Sequence, residues 1–270
     1  MITVVTGAGG MIGEAVMRAL SVDGRVGRRL DRNASGTSWR LGDRADPSLI
    51  EGASSLIHLA WDLDPDNAET CVAGSLRLFE QCGEAGIDRI VYVSSQSAGA
   101  PKPTRYGAAK RKVEVAIEGQ AGALSVRPGL VWSDPPRGAF QRLVGARFLG
   151  WTLTVTTPEV LHPIHVDDLA MVLARAAATP VPTGVLEVGA EQPLSAQSLV
   201  AIALGPGHQV RIPRAAMGTI AALLALGGSR GRVLADRARG LGALEAMRDP
   251  SMEALGVSCR QLTRLEISHG

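Results

Sequence analysis

The sequence predicts an α/β protein built on a doubly wound parallel sheet, and three observations predict it. Short apolar, β-branched runs alternate with longer stretches of helical periodicity from the first residues to about residue 190. The first run leads directly into the glycine-rich TGAGGMIG, residues 6–13. A later run, DRIVYVSS, residues 88–95, ends on two serines, and Tyr106 and Lys110 follow, four apart, where the next helix begins.

Composition bounds the function before any motif is read. The 270 residues carry 28 Lys plus Arg against 26 Asp plus Glu, a net charge of +2, so no whole-chain field gathers nucleic acid or an anionic membrane. Neither partner is expected; a small-molecule substrate is. The three cysteines, Cys71, Cys82 and Cys259, lack metal-ligand spacing and are odd in number, which predicts reduced thiols in a cytoplasmic protein and no metal site. The N-terminus shows no charged region ahead of an apolar segment, so no signal peptide is expected. The longest apolar stretch, Ala215 to Gly228, is too short to span a bilayer and reads as a core or interface helix.

Taken in order, the apolar run Met1 to Val5 predicts a strand, and EAVMRALSVDG, residues 14–24, a helix. Between them Gly7, Gly10 and Gly13 suit a tight turn, a close backbone approach to a pyrophosphate and close helix packing, with the helix N-terminus facing the phosphates. A strand over Arg25 to Leu30 ends at Asp31, eighteen residues beyond Gly13, where an acid holds the adenine ribose hydroxyls. That favours NAD. Arg28, Arg29 and Arg32 flank the acid and would suit a 2′-phosphate, which keeps NADP as the second expectation. A further strand is expected to end at Leu41, with Asp43 after it as either an adenine contact or a solvated turn acid, then a helix from about Asp46. SSLIHLA, residues 54–60, predicts a strand in which His58 is a satisfied core histidine. A helix over 66–86 stops at Gly86, and DRIVYVSS delivers Ser94 and Ser95 to the carboxyl edge of the sheet, where ligands bind.

A phenol has an ordinary pKa near 10, so Tyr106 needs help to exchange protons at neutral pH. An ammonium four residues on, at Lys110, favours its ionised form, and a serine hydroxyl beside it would bind a substrate oxygen. Leu124 to Arg127 predicts a strand stopped at Pro128. Arg137, Arg142 and Arg147 read as surface charge, and Asp167 and Asp168 as first-turn acids of the helix DLAMVLARAAA. GVLEVGA predicts the last strand and LSAQSLVAIAL a helix with a serine cap. Residues 205–270 read as helical segments, with DPSMEALGV, 249–257, as a closing helix.

In their order, TGAGGMIG, LDR, GDRAD, LIHLA, VYVSS, YGAAKRKVE, SVRPGLVW, HPIHVDDLA and GVLEVGAEQPLSAQSL resemble the short-chain dehydrogenase/reductase superfamily, in its extended, NAD-dependent epimerase/dehydratase-like branch. The resemblance implies a Rossmann-type doubly wound parallel sheet with a small C-terminal substrate-binding lobe. Residues 1–128 and 161–190 would form the dinucleotide-binding core, and 129–160 and 191–270 the lobe. It implies Tyr106 as acid/base, Lys110 as the residue that lowers its pKa and holds the nicotinamide ribose, and Ser95 as the one that orients the substrate carbonyl, with Ser94 and Ser97 in reserve. The cofactor would lie on Gly7, Gly10, Met11, Ile12, Gly13, Asp31, Arg32, Asp43, Leu59, Ala60, Tyr106, Lys110 and Pro128, with Gly129 also over the nicotinamide. A homodimer is expected on the same ground. The implied activity is interconversion of a secondary alcohol and a ketone; an epimerase or dehydratase that recycles NAD, and a non-catalytic NAD(P)-binding sensor, are the alternatives.

Three departures stand out. Only ten residues separate Ser95 from Tyr106, so one wall of the substrate pocket is trimmed. Cys71 stands where an asparagine often supports proton relay. Leu130 stands where nucleotide-sugar enzymes often carry an asparagine, which weakens a nucleotide-sugar assignment.

Overall fold

The computed structural model describes residues 1–32, 38–145, 147–148, 151–178, 183–205 and 209–265. The N-terminal half alternates strand and helix: β1 (Ile2–Thr6), α1 (Met11–Val22), β2 (Val26–Leu30), the single turn α2 (Pro47–Ile50), β3 (Ser55–His58), α3 (Ala68–Glu84), β4 (Arg89–Val93), α4 (Arg105–Ile117) and β5 (Ala123–Pro128). There follow β6 (Leu130–Trp132), α5 (Gly138–Val144), β7 (Arg147–Phe148), β8 (Trp151–Val155), β9 (Pro163–His165), α6 (Val166–Ala178), β10 (Gly184–Val188), α7 (Ala196–Leu204), β11 (Gln209–Ile212), α8 (Met217–Ala225) and α9 (Gly228–Ala243).

Six strands form one parallel sheet in the order β10-β5-β4-β3-β1-β2. Both faces of a parallel sheet are covered by helices, so its strands are apolar on both sides. Successive residues divide accordingly. Val5, Ile57, Val91, Val93 and Val126 pack with α1 and α6, whereas Val4, Leu56, Ile90 and Tyr92 pack with α3 and α4. The chain passes from β1 to β2 on one side and returns to β3 on the other, so the strand order reverses between β1 and β3. In open α/β sheets that reversal opens a crevice at the carboxyl ends of the strands. Two smaller sheets, β6 beside β9 and β11-β8-β7, are built from strands that follow β5.

Three expectations are corrected. No strand ends at Leu41: Gly42, at φ 110°, turns the chain, leaving an isolated bridge between Leu41 and Asp43. The indole of Trp39 donates to the Asp43 carbonyl and closes that turn. DPSMEALGV forms only a 3-10 turn, Glu253–Leu255, ended by Gly256 in the left-handed region at φ 63°; Met252, Leu255 and Val257 are buried against the α1–α6 side of the sheet. Finally, of the core or interface reading of Ala215 to Gly228 the core half is corrected, since α8 buries only Met217 and Ala221.

Candidate functional site

The glycine turn lies at the reversal point. Gly7 takes a left-handed φ of 64°, and a Cβ on it would lie 3.0 Å from the backbone nitrogen of Ala60, so the chain leaving β3 runs directly across it. A Cβ on Gly13 would overlap the Gly7 carbonyl oxygen and come within 2.6 Å of the Ala8 Cα. Glycine is therefore required at both positions by backbone contact. Gly10 caps α1 with no side-chain hydrogen bond, and Glu14, the acidic side chain of the first turn, is paired with Arg137. Asp31 accepts the Gly9 N–H, which brings its carboxylate onto the turn from the end of β2. A cradle of backbone with an acid at its rim suits a dinucleotide's pyrophosphate and ribose.

The basic residues beside Asp31 are unequal. The Arg28 guanidinium donates to the carbonyls of Ser48 and Glu51, at 3.3 and 2.7 Å. Arg32 is exposed, with Ser38 donating to its carbonyl. Asp43 is exposed and accepts the Arg40 N–H at 3.2 Å, the geometry of a turn acid.

Lys110 is the centre of a second cluster, between the end of β4 and the first turn of α4. Although a lysine is almost never fully buried, this one is 3 % exposed. Its Nζ donates to the Val93 carbonyl at 2.9 Å, and lies 3.9 Å from the ring centroid of Trp61, 4.9 Å from that of Tyr92 and 5.9 Å from that of Tyr106. Burial pushes its pKa down to about 7, against the smaller opposing pull of Cys71 and Glu114. The aromatic faces favour the ammonium form. Thr104 caps α4 by accepting the Gly107 N–H, fixing the first turn that carries Tyr106. The Tyr106 ring meets Trp61 edge-on, with centroids 6.2 Å apart.

Of the serines at the end of β4, Ser94 is buried with no partner for its Oγ among the described residues. Ser95 is only partly buried; its Oγ caps the following 3-10 turn by accepting the Ser97 N–H and lies 3.0 Å from the Ser97 Oγ. Pro128 ends β5. Gly129 next to it donates to Val188, and a Cβ there would overlap the His162 carbonyl.

Sequence reasoning passed over several residues that build this site. Trp61 follows Ala60 at the end of β3 and covers Lys110; its position just beyond LIHLA was the available signal. Asp236 of α9 accepts the Tyr106 N–H at 3.4 Å, satisfying a first-turn donor from 130 residues away, which no local pattern announces. His58 does more than fill the core. Thr6 Oγ1 accepts the N–H groups of Leu59 and Ala60 at 3.0 Å each, so its own proton goes to His58 Nδ1 at 2.7 Å. His58 Nε2 then donates to Ser75 at 2.9 Å, and Ser75 to the Cys71 carbonyl at 2.8 Å. Burial, with Lys110 nearby, holds His58 neutral, its pKa down to about 3. This chain of bonds fixes Leu59 and Ala60 against the glycine turn.

Cys71 is buried beside these groups: its sulfur accepts the Asp62 N–H at 3.3 Å, and burial raises its pKa, so it stays a thiol. Arg137 pairs with Glu14 of α1 at 2.7 Å, and Arg142 is exposed. The Arg147 side chain lies outside the described residues. Asp167 and Asp168 sit in the first turn of α6, where Asp167 pairs with Arg18 and Asp168 with Arg260, and His165 accepts the Asp167 N–H. They tie the fold together. Among the described residues there is no cluster of metal-ligating side chains, and no helix is long and apolar enough to cross a membrane.

The chain is 30% identical over 199 residues to a ceramide reductase of Caulobacter vibrioides (strain NA1000 / CB15N); the match covers 67% of this chain and 62% of that one, less than two thirds of the relative's length. Among solved structures it resembles MoeE5 in complex with UDP-glucuronic acid and NAD, with a TM-score of 0.70 and 20% identity over 97% of this chain and 94% of that one. It also resembles the human epimerase family protein SDR39U1 (isoform 2) with NADPH, with a TM-score of 0.63 and 20% identity over 92% and 90%. At such identities the likeness is one of fold. Residues 3–117, which hold the glycine turn, Ser95, Tyr106 and Lys110, match the model of the NAD dependent epimerase/dehydratase family.

Proposed function

We propose that this protein is an NAD-dependent oxidoreductase that interconverts a ketone and a secondary alcohol on a small or medium-sized metabolite. The observation that carries this reading is the buried Lys110, held by the Val93 carbonyl and Trp61 with its Nζ 5.9 Å from the Tyr106 ring centroid. In its protonated form, kept up to about pH 7, an amine with so little solvent around it stabilises a neighbouring phenolate more strongly than a surface lysine does. Tyr106 is then the group that gives a proton to the substrate oxygen in reduction and takes it in oxidation. Ser95 hydrogen-bonds that oxygen and steadies charge developing on it. Gly7, Gly10, Gly13 and the first turn of α1 hold the pyrophosphate, and Asp31 the adenine ribose; a carboxylate there disfavours a 2′-phosphate, placing NADP second. When bound, the nicotinamide supplies the hydride donor or acceptor.

The reductase-type relative favours a net redox reaction. The family's own description favours a second reading, an epimerase or dehydratase that recycles NAD within each turnover. The two differ in whether nicotinamide absorbance changes as substrate is consumed.

Tyr106→Phe tests the proposed role of the phenol. It should lower turnover by about a hundredfold or more, the range for loss of a general acid, while NAD affinity stays within about twofold. Turnover equal to wild type would remove Tyr106 from the mechanism.

A further inference from the structure

Trp61 touches both members of the Lys110–Tyr106 pair. The Lys110 Nζ lies 3.9 Å from the centroid of its indole, nearer than to the ring of Tyr92 or Tyr106, and the Tyr106 ring meets the same indole edge-on. Trp61 is only partly buried, in a connection between β3 and α3 that carries the exposed Asp62 and Leu63. An indole in such a connection keeps one position only if its backbone is held.

The backbone is held on both sides of it. Ahead of Trp61, Thr6 Oγ1 accepts the N–H groups of Leu59 and Ala60, and behind it the Cys71 sulfur accepts the Asp62 N–H at 3.3 Å. These two clamps are one structure, since Thr6 bonds His58, His58 bonds Ser75, and Ser75 donates to the Cys71 carbonyl. Four side chains from β1, β3 and α3 thus form a ring of bonds, closed by the backbone from Ala60 to Asp62 with Trp61 at its middle.

The other groups around Lys110 do little to keep its charge. Its Nζ donates to the neutral Val93 carbonyl, and Glu114, the carboxylate on its own helix, is committed to Arg127 at 2.6 Å. From β3, His58 is held neutral; from β4 and α3, burial pushes up the Tyr92 phenol and the Cys71 thiol, so neither supplies a negative charge. Tyr106 is the group whose ionisation the ammonium itself favours. The indole face is therefore the partner that offsets the desolvation of Lys110.

We propose that Trp61 is a positioning residue for the reaction assigned above: its indole keeps Lys110 charged and in place beside Tyr106. An interaction with the ammonium form alone raises the pH at which the proton leaves, so the indole extends the range over which Tyr106 has a cation beside it. The role rests on that assignment, but its test does not depend on turnover.

The chain has three lysines, Lys102, Lys110 and Lys112, of which only Lys110 is buried. Isotope labelling at the lysine Cε therefore gives three NMR signals, and Lys110→Met identifies the one from Lys110. Titration of the free chain should show Lys110 losing its proton at a pH lower by about 0.5–1 in Trp61→Leu than in wild type, with Trp61→Phe, similar in size to leucine but aromatic, between them. Trp61→Met takes the place of Trp61→Leu if that variant does not fold. Turnover of a ketone should decline with rising pH at a correspondingly lower pH in the same variants. Equal titration of all the proteins would overturn the proposal, and so would Trp61→Phe behaving like Trp61→Leu. A midpoint higher in Trp61→Leu than in wild type would overturn it too, since that marks an indole that merely excludes water. Failure of the assigned reaction shows instead as wild-type turnover in Tyr106→Phe, so the two failures are read from different measurements.

Discussion

Lys110 shows how one buried side chain sets the electrostatics of a site. Its ordinary pKa of 10.5 falls to about 7 on burial, so between those values the folded chain holds a neutral amine while the unfolded chain holds an ammonium. The unfolded state then binds more protons, and stability rises with pH across that interval. Lys110→Met removes the buried charge. Urea unfolding at about pH 7 and about pH 9.5 should show the variant more stable at the lower pH, by more than about 1 kcal/mol, with the gap narrowing at the higher one. Parallel pH dependences in the two proteins would mean that the amine is solvated. His58 shows the opposite case, a titratable group whose work is geometric: neutral and fully bonded, it holds the Leu59–Ala60 crossing in place. Its identity as a core histidine was readable from its place inside an apolar strand. Its partners were not, because Thr6 and Ser75 come from β1 and α3.

At the scale of elements, the strand–turn–helix unit of β1 and α1 is held by contacts that exclude any Cβ. Gly13→Ala would drive a methyl into the Gly7 carbonyl and the Ala8 backbone, neither of which has room to give. A loss of more than about 2 kcal/mol in unfolding free energy is expected, with at least a tenfold loss of NAD affinity. Gly83→Ala, in α3 with nothing within 4 Å of the added methyl, should gain about 0.5–1 kcal/mol and leave NAD binding alone. Matched thermal melts and NAD titrations compare the two.

Elements whose signal is local were legible in the sequence. The alternation of β1 through β5, the glycine turn and the spacing of Tyr106 and Lys110 all follow from periodicity and nearest-neighbour chemistry. Elements decided by tertiary contact were not. Leu41 looked like a strand end until Gly42 turned the chain, and DPSMEALGV had helical composition but too few residues before Gly256. Trp61 and Asp236, which support the pair of Lys110 and Tyr106, reach them across gaps of 49 and 130 residues, beyond any local pattern.

At the scale of the molecule, a net charge of +2 over 270 residues supplies no long-range field, so ligand recognition rests on local geometry at the sheet edge. The reversal of strand order between β1 and β3 gathers the glycine turn, Asp31 and the Leu59–Ala60 crossing at one edge, and β4 delivers Ser95 at its carboxyl end. The compactness noted between Ser95 and Tyr106 has a structural counterpart: a single 3-10 turn, Gln96–Ala98, and a short connection to Thr104 join β4 to α4. A net redox reaction at Tyr106 is tested by following nicotinamide absorbance while the purified chain, with added NADH, is offered a panel of ketones. Wild type should consume NADH with at least one ketone, and Tyr106→Phe should do so about a hundredfold more slowly. Substrate conversion with no net change in absorbance, or equal rates in the two proteins, would contradict it.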